Sequence, residues 1–164
     1  MRCTPDCRLD KIYEIDRKLM EKLGIRALIL DIDNTLTTHG NPVPAEGVTQ
    51  WIERMRKQDV PMVIVSNNSH HRVKPFADAL GLGFIAGGKK PLRSGLRLAC
   101  EQMGVRPQET GVVGDQLFTD ILGGNRMGMK TILVTPFELE TGRFFRIKRG
   151  IERRMMRNYK EIQE

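Results

Sequence analysis

Asp31-Ile32-Asp33-Asn34-Thr35-Leu36-Thr37 decides how the rest of the chain is read. It follows Ala27-Leu28-Ile29-Leu30, a short apolar run that reads as a strand buried on both faces. Two carboxylates leave the end of that strand two residues apart, and Asn34-Thr35 begin a turn. Acids gathered at a buried strand end repel one another unless a cation or a proton offsets them. Asp-x-Asp-Asn is also an ordinary surface turn, so this stretch alone leaves the choice open. Three later stretches decide it.

Working outward, Asp10 to Lys22 carries Ile12, Ile15, Leu19 and Leu23 at helical spacing, with Gly24 as a stop. An amphipathic helix over 10–23, packed on the domain, is the expectation. Residues 34–43, with Gly40-Asn41-Pro42, read as a turn or small flap. A helix over 44–58 follows, with Val48, Ile52 and Met55 inward and Trp51 as packing. Pro61 to Val65 is a second strand, closed by Ser66-Asn67-Asn68-Ser69. Helices are expected over 70–80 and 92–103, and strands over 84–86, 110–114 and 130–134. Residues 115–127 start as loop and become helix. Strands alternating with helices predict an α/β fold, a mainly parallel sheet covered on both faces.

Ligands gather at the carboxyl ends of the strands in such a sheet. Four polar clusters fall there: Asp31 with Asp33, Ser66 with Asn67, Lys89-Lys90, and Asp115 with Asp120. Carboxylates without Cys or His around them favour a hard, oxygen-loving cation such as Mg2+ over zinc. A serine hydroxyl, backbone amides and a lysine ammonium bind phosphate oxygens. Together these describe phosphoryl transfer, in which one carboxylate attacks phosphorus and the other moves the leaving group's proton.

These residues resemble the four motifs of the haloacid dehalogenase-like (HAD) phosphatases. Residues 31–37 are similar to the first motif, Val65-Ser66-Asn67-Asn68 to the second, Lys90-Pro91 to the third, and Gly114-Asp115-Gln-Leu-Phe-Thr-Asp120 to the fourth. Order and spacing agree from about residue 26 to 135. In more detail the chain resembles the YqeG-type branch of subfamily IIIA, on Ser66-Asn-Asn-Ser69, Val73-Lys-Pro-Phe76 and Gly114 to Asn125. The resemblance implies a Rossmann-like three-layer α/β/α sandwich. It implies Asp31 as nucleophile, forming an aspartyl-phosphate, and Asp33 as general acid and then base. Ser66 and the Asn67 backbone amide would hold the phosphoryl oxygens. Lys90 would neutralise nucleophile and phosphate; Lys89 stands one residue too early, since the family's lysine directly precedes proline. Mg2+ would be bound by Asp31, the Asp33 carbonyl and Asp115, with Asp120 supporting it. Among the neighbours, Thr35 shapes the turn, Asn68 and Ser69 read as a helix N-cap, and His39 lies in the flap.

Many members of that family carry a cap domain inserted between these motifs. Here Asp33 and Ser66 are 33 residues apart, and Ser66 and Lys90 are 24 apart, so neither gap holds a domain. A capless, open site suits a phosphate presented by something large, held at a surface, or covered by a partner chain such as a second copy of the protein.

The length, 164 residues, suits one domain, expected over 1–140. No apolar run nears the length of a membrane span, and residues 1–23 lack the apolar segment of a secretory signal. Cys3, Cys7 and Cys100 are too few for a disulfide framework, which points to a reducing cytoplasm. Cys3 and Cys7 lack the second Cys/His pair that a zinc site requires.

The net charge of +7 is concentrated at one end. Residues 141–164 hold eight Lys/Arg against three Glu, whereas the remainder holds 19 basic and 17 acidic side chains. Phe144, Ile147, Ile151, Met155 and Tyr159 form a helical stripe among those basic residues. Such a basic amphipathic helix can dock on its own domain, lie on an anionic membrane surface, or bind nucleic acid, the last ranking third. The YqeG-type branch also resembles phosphatidylglycerophosphate phosphatases of mitochondria and plastids. That resemblance implies phosphatidylglycerophosphate as substrate, at the inner face of the membrane. A soluble phosphomonoester, a phosphoprotein, or an RNA- or ribosome-associated binding role on a HAD scaffold are the alternatives.

Overall fold

The computed structural model describes residues 2–138 and 150–154. Six strands form one sheet: β1 (Cys7–Leu9), β2 (Ala27–Leu30), β3 (Met62–Val65), β4 (Gly83–Ile85), β5 (Thr110–Gly114) and β6 (Lys130–Val134). Their spatial order is β1-β6-β5-β2-β3-β4, and every pair is parallel. The helices are α1 (Arg17–Leu23), α2 (Val48–Lys57), α3 (His70–Leu80), α4 (Arg93–Met103) and α5 (Leu122–Arg126).

Alternation along β2 builds the three layers. Leu28 and Leu30 face a core shared with Leu19, Trp51, Ile52, Val73 and Phe76, from α1, α2 and α3. Ala27 and Ile29 face the opposite side, against Leu96, Ala99 and Cys100 of α4. Both faces are therefore apolar, as a parallel sheet covered by helices requires. Trp51 is fully buried and its indole N–H donates to the Ile15 carbonyl at 2.8 Å, a packing role in keeping with its place on the inner face.

Two departures from the sequence reading occur near the start of the chain. The helix expected over 10–23 is broken: a single 3-10 turn at Ile12–Glu14 is followed by α1, whose N-cap is Asp16. The Asp16 carboxylate accepts from the Leu19 N–H at 2.8 Å, and so starts a helix anew within a continuous apolar stripe. The apolar residues are buried as expected, but by two short elements. The second departure is β1, a sixth strand, which pairs with β6 through Cys7↔Ile132 to Leu9↔Val134. The domain otherwise follows the expected order: the interval from Asp33 to Ser66 holds only α2 with β3, and that from Ser66 to Lys90 only α3 with β4, without a cap.

From β2 the chain steps outward through β3 to β4, then crosses back to lay down β5 and β6 on the other side. The direction of winding reverses between β2 and β5, which opens a crevice at the carboxyl ends of these strands. The tail helix expected over 141–164 lies outside the described residues, apart from 150–154, which are helical. Among the described residues no helix is long and apolar enough to cross a membrane.

Candidate active site

Asp31 is the first residue beyond β2, and its N–H is fixed to the Val113 carbonyl of β5 at 3.1 Å. Ser66 follows β3 and Asp115 follows β5, each almost fully buried. Because β5, β2 and β3 are neighbours, residues far apart in sequence arrive at one crevice.

Lys90 reaches that crevice from the loop after β4. The Asn67 side chain brackets its backbone: Asn67 Nδ2 donates to the Lys90 carbonyl at 2.9 Å, and the Lys90 N–H donates to Asn67 Oδ1 at 2.7 Å. The loop lies tight against α4, where a Cβ on Gly95 would stand 2.5 Å from the Gly88 carbonyl oxygen. Held in this way, Lys90 Nζ donates to Asp120 Oδ1 at 2.6 Å and to Asp31 Oδ1 at 3.1 Å. The side chains of Lys90 and Asp120 are 3% and 0% exposed, so the pair is out of water, where breaking it is costly.

Asp120 comes from a π-helical turn, Leu117–Ile121, a form that recurs at functional sites. That turn folds Asp120 back onto the end of β5 so closely that a Cβ on Gly114 would fall 2.1 Å from Asp120 Oδ2. Glycine is therefore required before Asp115. Asp31, Asp115 and Asp120 each offer a carboxylate oxygen, and these oxygens lie within 4.8 Å of one another.

The electrostatics follow from this crowding. Burial, reinforced by the charge of Asp120, pushes the Asp31 carboxyl up to about 7, against the opposing pull of Lys90. Burial would lower the Lys90 ammonium, but Asp120 and Asp31 more than reverse that and raise it above the ordinary lysine value. Three carboxylates against one ammonium leave an excess of negative charge. An all-oxygen donor set of this kind fits a hard divalent cation such as Mg2+.

Asp33 is treated differently. Its side chain stands apart from the three-carboxylate group and accepts from the Gly40 N–H (2.8 Å) and Arg72 Nη2 (3.1 Å) on Oδ1, and from Asn68 Nδ2 on Oδ2. Burial opposes its charge, yet these donors prevail and hold it below the usual carboxylate range. The Gly40 contact ties the flap to Asp33, and within the flap Thr37 Oγ1 donates to the Val43 carbonyl.

The N-cap expected at Asn68 and Ser69 falls on Ser69 by position, and not on Asn68. Ser69 occupies the N-cap position of α3 without a side-chain capping bond, and the Asn68 amide is spent on Asp33. Arg72 is a residue that sequence reasoning missed. Its one signal was a basic side chain in the first turn of the helix that follows the second strand-end cluster. Ser66 Oγ accepts from the Asn68 N–H at 3.1 Å, and Asn67 lies exposed beside it. Lys89 is exposed, and His39 lies exposed in the flap.

A family model described as haloacid dehalogenase-like hydrolase matches residues 41–128, and one described as mitochondrial PGP phosphatase matches residues 1–76. A curated relative, the probable phosphatase YqeG of Bacillus subtilis, is 36% identical over 93% of this chain and 88% of its own length. Phosphatidylglycerophosphate phosphatase 1, chloroplastic/mitochondrial, of Arabidopsis thaliana is 26% identical over 80% of this chain, which spans 40% of that protein. A solved structure of an uncharacterized protein from Listeria monocytogenes serotype 4b shares the fold, with a TM-score of 0.57 at 18% identity, covering 71% of this chain and 85% of that one.

Proposed function

This chain belongs to the haloacid dehalogenase-like hydrolase family, as a phosphatase of that type, and from this premise we propose a Mg2+-dependent phosphomonoester hydrolase that forms an aspartyl-phosphate on Asp31. The observation that carries the reading is the buried Asp31–Lys90–Asp120 network beside Asp115, at the winding reversal of the sheet. Mg2+, held by Asp31, Asp115, the Asp33 carbonyl and Asp120, would supply the positive charge that lets a phosphate dianion approach a carboxylate.

In the first half-reaction an Asp31 carboxylate oxygen attacks phosphorus. The bond from phosphorus to the alcohol oxygen breaks, and Asp33 gives that oxygen its proton. Asp33 then takes a proton from water as the water oxygen attacks phosphorus. The bond to Asp31 breaks, releasing inorganic phosphate and restoring both acids. Ser66, the Asn67 backbone amide and Lys90 hold the phosphoryl oxygens meanwhile.

Phosphatidylglycerophosphate is the substrate we favour. The match of residues 1–76 to the mitochondrial PGP phosphatase family, the Arabidopsis relative and the absence of a cap support it. On this reading residues 141–164 form a separate basic unit after a domain of residues 1–140, and bring the protein to anionic lipid from the cytoplasm. A second copy of the chain is a further candidate for covering the open site, and nucleic acid ranks behind lipid.

Phosphate release from phosphatidylglycerophosphate in mixed micelles tests this, with Mg2+ or with EDTA, for the wild type and Asp31→Asn. Mg2+-dependent release, lost in Asp31→Asn and faster than release from a soluble alkyl phosphate, is the expected result. Turnover of the soluble ester alone would remove the lipid and keep the chemistry. Turnover of neither, with salt-sensitive RNA binding, would favour the binding-protein alternative.

A further inference from the structure

The side chain of Arg72 is 19% exposed. Its guanidinium carbon stands 5.3 Å from the centre of the Phe76 ring, one turn on along α3. Arg72 Nε is buried with no hydrogen-bond partner. Such an unsatisfied buried donor is unfavourable, so an arginine with nothing to hold it would turn towards water. Here Asp33 holds the end of the guanidinium and Phe76 its face. A lysine ammonium would match the charge, but not the flat face or the fixed donor direction.

A carboxylate oxygen offers two acceptor positions. On Asp33 Oδ1 both are taken, by the Gly40 N–H and by Arg72 Nη2. Oδ2 accepts one bond, from Asn68 Nδ2, which leaves its second position for a transferable proton. We propose that Arg72 is a positioning residue of the phosphatase reaction, fixing the rotation of the Asp33 carboxyl through Oδ1 so that Oδ2 alone exchanges protons with the leaving alcohol and with water. This rests on the phosphatase reading above. In the step concerned, the Oδ2–H bond breaks as an O–H bond forms on the departing alcohol oxygen, which keeps the electron pair of the broken bond to phosphorus. The new bond to phosphorus comes from Asp31.

Leaving-group dependence tests the proposal, because kcat/KM reports only the steps up to alcohol release. An alkoxide must be protonated as it leaves, whereas 2,4-dinitrophenolate need not be. Arg72→Ala is expected to lower kcat/KM at least tenfold for an alkyl phosphate and less than threefold for 2,4-dinitrophenyl phosphate. Arg72→Lys should fall between Arg72→Ala and wild type on the alkyl ester, and it repeats the comparison if the alanine variant folds poorly. In an Asp33→Asn background, Arg72→Ala should change release of dinitrophenolate by less than twofold. Equal losses on both esters, or a further loss in that background, would overturn the proposal and leave the phosphatase reading standing. A wild type that turns over neither ester would overturn both.

Discussion

On one side of the turn that leaves β2, Asp31 meets Lys90 and the carboxylates of Asp115 and Asp120. On the other side, two residues along, Asp33 meets Gly40, Asn68 and Arg72. The first surrounding buries its carboxyl beside another carboxylate and pushes it up to about 7; the second is rich in donors and holds its carboxyl low. Adjacent acids on one turn can therefore be given different work by what packs against each. The Asp31 side is completed by adding charge, and the Asp33 side by keeping a direction.

Asp31→Asn is the most severe way to break this contrast. Loss of the attacking oxygen should lower phosphate release by roughly three orders of magnitude or more. The same change relieves repulsion, so the melting temperature in EDTA should hold or rise. Lys90→Met should do the opposite, stranding Asp31 and Asp120 as buried charges without their cation. A loss of about 3–5 kcal/mol is expected, seen as a fall in melting temperature on the order of ten degrees. Mg2+ should restore part of it.

Asn68→Ala acts only on the Asp33 side. With one donor fewer, the Asp33 carboxyl should rise towards its ordinary value, moving the Asp33 limb of the kcat/KM profile for an alkyl phosphate to higher pH while the Mg2+ requirement is unchanged. A pH dependence also separates the two acids. Asp31 titrates near 7 in the folded chain and near 3.8 when unfolded. Between those values the folded carboxyl keeps a proton that the unfolded chain releases, so stability in EDTA falls as pH rises through this window. The melting temperature in EDTA should fall across this window, and Asp31→Asn should flatten the dependence. Asp33, held low, contributes stability that is lost only as pH falls below about 3.8.

The Asp31 side was legible in the sequence because its parts sit where apolar runs end. Asp31, Ser66 and Asp115 each follow a run of strand residues, and neighbouring strands bring those ends together without further instruction. The Asp33 side was harder to read. A basic residue on a helix normally signals a solvated face, and nothing local to Arg72 names a carboxylate 39 residues earlier. Asn68 was obscured for another reason: Asn before a helix is an ordinary capping residue, and its bond to Asp33 again depends on tertiary placement. The same limit hid β1, where Cys7-Arg8-Leu9 is too short to declare a strand and its partner is β6. It hid the break before α1 as well, because the apolar period runs unchanged through Asp16.

The pairing of β1 with β6 has a consequence in time. A chain made from its amino terminus produces Cys7–Leu9 before the other strands of this sheet, yet the strand that receives it, Ile132–Val134, is made only after every one of them. The first strand of this sheet to be made is thus the last to be paired, and until then its N–H and C=O groups have no strand to meet. That interval is when a nascent sheet edge is most open to pairing with another chain. A three-residue strand interrupted by the exposed Arg8 offers little for such a mispairing to grip, so the brevity that hides β1 from a reader of the sequence also shields it during synthesis.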